Sequence, residues 1–202
     1  RRDNDLVGAS FGRSFYILDD YTPLRTIAAG ALQSASTLFP VRDAWWYIPY
    51  EPMQARGKPT LGSTDFDAPN PPFGAIITYY VKEKGGTKKE IRRAQETKLR
   101  QSGDNVTFPG WERLAEEALE HGPKVLLTLR DDSGRAVRRL EGSAAAGIHR
   151  VNWDLRLPPP NPIDLTPPGF TPPWASSPQG PLAAPGRYRV EMTLISAEGV
   201  ES

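Results

Sequence analysis

There is no cysteine in this chain, and that absence alone removes a disulfide framework, thiolate catalysis and every cysteine-ligated metal site. Histidine is nearly missing too. His121 and His149 are the only two, which leaves little for an imidazole-based zinc centre. No apolar run approaches the roughly 20 residues that cross a bilayer as a helix; the longest are Val125 to Leu129 and the interrupted Ala75 to Val81. A dominant charge is lacking as well. With 25 basic and 24 acidic residues the formal net charge is +1, so no global field draws the chain to nucleic acid or to an anionic membrane surface. No phosphate-binding glycine loop is present.

What is present is 202 residues with an apolar share of 38%, low for a globular chain, so one compact domain with long excursions is expected. The chain opens on Arg1 with neither an initiator Met nor a signal-type apolar stretch, and it is expected to be a piece of a longer protein. At the other end, Ala197-Glu198-Gly199 reads as a turn, as if a hairpin return were about to begin.

Strand signals recur along the chain. From Asp5 to Asp20, Leu6-Val7 leads through a small-residue turn at Gly8-Ala9-Ser10 into Phe15-Tyr16-Ile17-Leu18, giving two short strands or one bent one. A short helix is expected from Thr22 to Leu32, with Thr22 as N-cap and Pro23 in the first turn. Residues 39–68 read as extended and irregular. Ala75 to Val81 is the strongest strand, β-branched and aromatic nearly throughout. Lys124 to Arg130, Arg135 to Leu140, Gly147 to Arg156 and Arg187 to Ile195 follow as strands, with Gly134 of Asp131-Asp132-Ser133-Gly134 placed where a turn needs positive φ. Alternation puts His149 on the same face as Val151, Trp153 and Leu155, as a core-edge histidine with a backbone partner. Between Gly86 and Pro123 the pattern changes to two helices, a basic one from Lys88 to Gln101 and a glutamate-rich one from about Pro109 to Glu120. They read as a solvated surface hairpin in which the two charges pair. Eleven of residues 158–185 are proline, which excludes helix and central strand there.

Short antiparallel strands joined by turns assemble most naturally into an immunoglobulin-like sandwich. Its core is expected to draw on Ile77, Tyr79, Leu127, Leu129, Val137, Val151, Trp153, Val190 and Leu194.

Catalysis makes demands that this sequence does not meet. Glycoside hydrolysis needs two carboxylates about 5 to 9.5 Å apart, but Asp19-Asp20 and Asp131-Asp132 are sequence neighbours at strand ends, where aspartate forms turns. Neither histidine adjoins a nucleophile-elbow motif, and the Asp131 turn lacks the later bidentate glutamate of a calcium loop. The basic helix lacks the interleaved aromatics of a nucleic-acid platform and has an acidic neighbour. Asn105-Val106-Thr107 matches a glycosylation sequon by pattern alone. Trp45, Trp46, Tyr47 and Tyr50 have two readings: a platform for sugar or a protein partner, or a cover over one end of the sandwich.

The run Asp5-Leu6-Val7 through Phe11-Gly12-Arg13-Ser14-Phe15-Tyr16-Ile17-Leu18-Asp19-Asp20-Tyr21-Thr22-Pro23-Leu24 resembles the final propeller segment of bacterial sortilin-like, BNR-repeat proteins, a family often labelled glycosyl hydrolase. Asn70 to Ala75, Asp131 to Leu140, His149 to Arg156 and Gly180 to Tyr188 are similar to that family's C-terminal immunoglobulin-like module, and Phe108-Pro109-Gly110-Trp111 in the charged insert belongs to the same resemblance. The resemblance spans nearly the whole chain. It implies export to the periplasm or outside the cell, and a module lying C-terminal to a propeller. Two departures bear on activity: Phe11 stands where the family commonly has His before Gly-Arg, and no Ser-x-Asp-x-Gly-x-x-x-Trp box occurs. The hydrolase label therefore does not carry over.

The expectation is thus a mainly β protein, an immunoglobulin-like antiparallel β-sandwich with a charged helical-hairpin insertion and long proline-rich extended arms. Residues 1–25 would be a remnant of a propeller-type strand segment, 26–69 an extended aromatic linker, and 70–202 the sandwich, with the helical insert at about 87–121 and the proline-rich loop at 158–185. The expected function is that of a non-catalytic structural or protein-interaction module within a larger envelope-associated assembly, with no cofactor and no metal. Accessory carbohydrate binding is the alternative. Candidate partner-binding residues are Phe11, Phe15, Tyr16, Trp45, Trp46, Tyr47 and Tyr50; a protein partner or envelope complex is expected, and nucleic acid and a membrane-spanning segment are not.

Overall fold

A computed structural model describes residues 4–27, 30, 32–49, 70–161, 169–170, 172, 175, 178–196 and 199–201. Three antiparallel sheets hold its strands. Strands β1 (Leu6–Ser10) and β2 (Ser14–Leu18) form a separate hairpin. A three-stranded sheet has the order β3 (Ser36–Leu38), β4 (Ala75–Val81), β7 (Gly147–Trp153). A four-stranded sheet has the order β6 (Ala136–Ser143), β5 (Lys124–Arg130), β8 (Arg189–Ser196), β9 (Gly199–Glu201). Helix α1 (Thr22–Thr26) follows the hairpin, while α2 (Lys88–Ser102) and α3 (Trp111–Leu119) lie between β4 and β5.

The protein is mainly β, and its two larger sheets share one apolar core, an arrangement consistent with a β-sandwich. Period-two alternation explains which residues enter it. Ala75, Ile77, Tyr79 and Val81 of β4 and Val125, Leu127 and Leu129 of β5 are all buried, and Trp153 of β7 and Leu194 of β8 join them. Of the nine residues expected in the core, Ile77, Tyr79, Leu127, Leu129, Trp153 and Leu194 are buried, while Val137, Val151 and Val190 are half-buried against the cluster. Phe39, just past β3, is buried as well and was not anticipated. Its amide donates to the Thr78 carbonyl at 3.0 Å, which extends the β3–β4 ladder past Leu38 and carries the aromatic ring inward.

The hairpin corrects the expected turn. Gly8, Ala9 and Ser10 belong to β1, opposite Tyr16, Phe15 and Ser14, so Gly8 and Ala9 face large aromatics across the ladder. The chain reverses instead at Phe11-Gly12-Arg13. Helix α1 also differs from expectation. Its N-cap is Tyr21 rather than Thr22 and carries no side-chain cap, the Thr22 amide donating to Asp20 Oδ1 at 3.2 Å; the α-helix spans Thr22–Thr26, Ile27 keeps helical geometry, and part of the expected run to Leu32 lies outside the described residues. The return after β8 is present as β9, whose Val200 stands opposite Ile195.

Helix α2 starts at a capping box that the sequence reading passed over. The Thr87 hydroxyl accepts from the Glu90 amide at 3.0 Å, and the Thr87 amide donates back to Glu90 at 2.9 Å. At the Asp131 turn, Gly134 has φ +81°, as its position required. Part of the proline-rich loop lies outside the described residues. Its end is tied to the segment after β7, where the Leu157 amide donates to Pro181 O at 2.9 Å and the Ala183 amide to Leu155 O at 2.7 Å.

Candidate interaction surface

Three features stand out from the core, and each is built by a different local rule. The first is the β1–β2 hairpin. Its ladder places Val7, Ala9, Phe15 and Ile17 on one face and Leu6, Tyr16 and Leu18 on the other, since side chains alternate along each strand. Every one of these residues is exposed, as is Phe11 at the turn. Neither strand pairs with the larger sheets among the described residues, so both outer edges carry free main-chain donors and acceptors. The base of the hairpin is fixed firmly. The Asp20 amide donates to Asp5 Oδ1 at 2.9 Å and the Tyr21 amide to Asn4 O at 2.9 Å. Arg150, on the outer face of β7, donates to the carbonyls of Asp19 and Asp20 at 2.8 and 3.0 Å and ties that base to the sandwich.

The second feature is the extended segment around Trp45. Tyr47 turns inward: its ring packs on Phe73 with 5.5 Å between centroids, and its hydroxyl donates to the Pro71 carbonyl. Trp45 and Trp46 do not follow it, being 79% and 70% exposed, and Ile48 is exposed beside them. The aromatic cluster therefore divides, with Tyr47 covering the fold and the two tryptophans facing solvent. Tyr50 lies outside the described residues.

The third feature is the helical pair. Arg92 of α2 reaches across to Glu117 of α3 with two parallel bonds, Nε to Oε1 at 2.6 Å and Nη2 to Oε2 at 2.7 Å, and also donates to Glu96. The Glu117 side chain is only 3% exposed. Hydrogen bonding from Arg92 holds the Glu117 carboxyl below the usual carboxylate range against the opposing effect of desolvation, and the same bonds raise the Arg92 guanidinium. Lys88 adds a pair with Glu116 at 3.1 Å, and its amide donates to Glu120 at 2.7 Å. Basic and acidic helices do pair. What the sequence reading missed is the direction α3 faces. Trp111 and Leu119 are about four-fifths exposed, Ala115 and Ala118 are exposed with them, and Phe108 packs edge-on to Trp111 with 5.1 Å between centroids. The spacing of positions 111, 115, 118 and 119 carried the signal of an apolar arc, but spacing does not tell which way an arc points.

The carboxylate pairs serve as turns. Asp131 accepts from the amides of Ser133 and Arg135, both at 3.0 Å, and the Ser133 hydroxyl is the main influence that lowers its pKa. Asp20 accepts from the Thr22 amide. His149 meets the Ala145 carbonyl at 2.7 Å and packs on Tyr79 with ring centroids 5.3 Å apart, in keeping with its place at the core edge. Among the described residues, no group of three or more histidine, aspartate or glutamate side chains is placed to hold a metal ion, and no helix is long and apolar enough to cross a membrane.

Comparison with protein-family models, curated proteins and solved structures finds no match for this chain.

Proposed function

We propose that this chain is a non-catalytic interaction module, in which an immunoglobulin-like sandwich presents the β1–β2 hairpin for strand addition to a larger β assembly. The observation that carries the reading is the hairpin itself, with apolar side chains on both faces and open hydrogen-bonding edges on both sides. A lone two-stranded hairpin is marginal in water, and an apolar ribbon with two open edges is the form a strand takes inside a sheet. The Arg150 anchor supports the same reading, because it fixes the base and leaves the ribbon free to be covered. The resemblance to sortilin-like, BNR-repeat proteins adds a propeller as the sheet to be completed and the periplasm or cell exterior as the place.

The test is the size of the native assembly. Phe15→Ser together with Ile17→Ser removes two exposed apolar residues from one face of the ribbon and touches no core residue. The folded variant is expected to elute as the free chain where the wild type elutes in a complex extracted from the envelope. Retention of the variant in that complex rejects the proposal.

A second reading rests on Trp45 and Trp46, whose exposed rings are suited to stacking on a sugar face. Glycan-array binding that is abolished by Trp45→Ala would favour an accessory carbohydrate-binding role, and absence of any glycan signal with the wild type would remove it.

A further inference from the structure

Two sets of exposed apolar residues, one aromatic and one of prolines, are brought to the same end of the sandwich. The β4–β7 register sets Ala75 beside Trp153, so the chain entering β4 and the chain leaving β7 meet there. On the entering side, Asn152 Nδ2 donates to the Phe73 carbonyl at 2.9 Å, and Tyr47 packs its ring on Phe73 and donates its hydroxyl to Pro71 O. Trp45, Trp46 and Ile48 stay exposed around that contact, as do Pro71 and Pro72. On the leaving side, Leu155 bends the chain at φ +55°, a conformation leucine rarely adopts, and Pro158, Pro159 and Pro160 follow, all exposed.

The proline run is stiff by covalent geometry and fixed at its root. Each ring locks its own φ near about −65° and drives the residue before it into extended or polyproline backbone. Residues 157–159 therefore hold a polyproline-type conformation before any partner arrives. At the root, the Leu157 amide donates to Pro181 O and Arg156 Nη1 donates to Gly180 O, both at 2.9 Å. Gly180 lies so close that a β-carbon there would stand 1.8 Å from the Leu157 carbonyl oxygen. A rigid proline run of this kind is recognised by exposed aromatic rings, which stack on the pyrrolidine faces at little ordering cost. This chain carries both halves of that pairing, and within one copy they do not cover each other, since both are exposed.

We infer that this end is a self-association face: two copies would meet end to end about a two-fold axis, the Trp45 and Trp46 rings of each lying on prolines 158–160 of the other. A two-fold axis makes the contact twice and closes it, which gives a dimer rather than a fibre. None of Trp45, Trp46, Ile48 and the exposed prolines carries a charge, so identical surfaces face one another here without like-charge repulsion among these residues. The two tryptophans supply on the order of 300–500 Å², and Ile48 with the prolines carries the surface toward the roughly 800 Å² per partner of a stable interface. This face is separate from the β1–β2 hairpin and does not depend on it.

Sedimentation of the full chain, from below to well above micromolar concentration, tests the inference. The expected result is a monomer–dimer equilibrium with a micromolar or tighter Kd. Trp45→Ser with Trp46→Ser should weaken it at least about tenfold, and Pro158→Ser, Pro159→Ser and Pro160→Ser together should do the same. Every altered residue is exposed, so both variants keep the fold, and an unchanged thermal transition verifies it. Mixing the two variants should restore part of the association, because the tryptophans of one still meet the prolines of the other. Phe15→Ser with Ile17→Ser should leave the dimer intact. A wild-type chain that stays monomeric, with or without glycan binding, overturns the inference. So does a mixture that associates no better than either variant alone, or a dimer that is lost in the hairpin variant and kept in the tryptophan variant.

Discussion

The Tyr79 hydroxyl donates to the main-chain carbonyl of Ser143 at 2.8 Å, joining the centre of β4 to the end of β6 across the shared core. Gly142 makes that contact possible. A β-carbon at position 142 would stand 2.3 Å from the Tyr79 oxygen and 3.0 Å from the ring carbon that bears it. Tyr79→Phe is expected to cost about 1 kcal/mol, the net worth of one hydrogen bond, and Gly142→Ala on the order of 1–3 kcal/mol through overpacking. The two should couple, because the hydroxyl removed by the first is the nearest atom struck by the second. Urea titrations of both single variants and the double variant check this; strict additivity would show that the tyrosine has moved aside.

The same residue sets an alkaline limit. Burial raises the Tyr79 pKa. The folded protein therefore favours the neutral phenol more strongly than the unfolded chain does. That contribution is complete below the unfolded value of about 10 and is lost as pH rises through the folded value. Above about pH 10 the wild type should lose stability more steeply than Tyr79→Phe, as measured by urea midpoints across the range.

Trp153 is the second anchor of the core. Its indole N–H donates to the Arg156 carbonyl at 3.0 Å, and its ring meets Tyr188 edge-on with 5.1 Å between centroids. Trp153→Ala should cost on the order of 3–5 kcal/mol, the usual penalty for removing a large buried aromatic. An unchanged melting temperature would contradict its place in the core.

The alternation of β4, β5, β7 and β8 makes most of the core legible in the sequence, because a strand buried on one side has to repeat every second residue. Tyr79 and Trp153 are placed in this way. Phe39 escapes, since β3 has only three residues and gives no period to recognise. The hairpin turn is misplaced because Gly8 and Ala9 look like turn residues, when their small size instead accommodates Phe15 and Tyr16 across the ladder. The exposed hairpin residues and the two tryptophans can be picked out by type. The outward arc of α3 cannot, because its direction is set by the Arg92–Glu117 contact between helices, and that contact depends on how the two helices meet.

That contact predicts how the helical pair responds to change. Glu117→Gln removes the charge that holds Arg92, and the helices should separate while the sheets persist, seen as faster amide exchange over 88–119 with little change in the main thermal transition. Acid should act similarly. The Glu117, Glu90 and Asp131 carboxyls are all held below their ordinary values, chiefly by hydrogen bonds from Arg92, from the Thr87 amide and from the Ser133 hydroxyl respectively. Their stabilising effect is therefore full above the unfolded value of about 4 and is lost as pH falls through the lower folded values. Helical signal that survives to lower pH than the β signal would contradict this order.

Removing the pair altogether carries the idea further. Helix α2 has no buried residue and α3 only Glu117, so deleting Thr87 to Glu120 and closing β4 to β5 with a short turn should leave cooperative unfolding intact. Loss of a cooperative transition would make the helices part of the core.

The interaction reading is tested most directly by amide hydrogen exchange at Phe15, Tyr16, Ile17 and Leu18, measured in the isolated chain and in the chain recovered within its native assembly. The prediction is rapid exchange in isolation, as befits a marginal two-stranded ribbon, and strong protection in the assembly, where strand addition would satisfy the open edges. Equal exchange rates in the two states would contradict it.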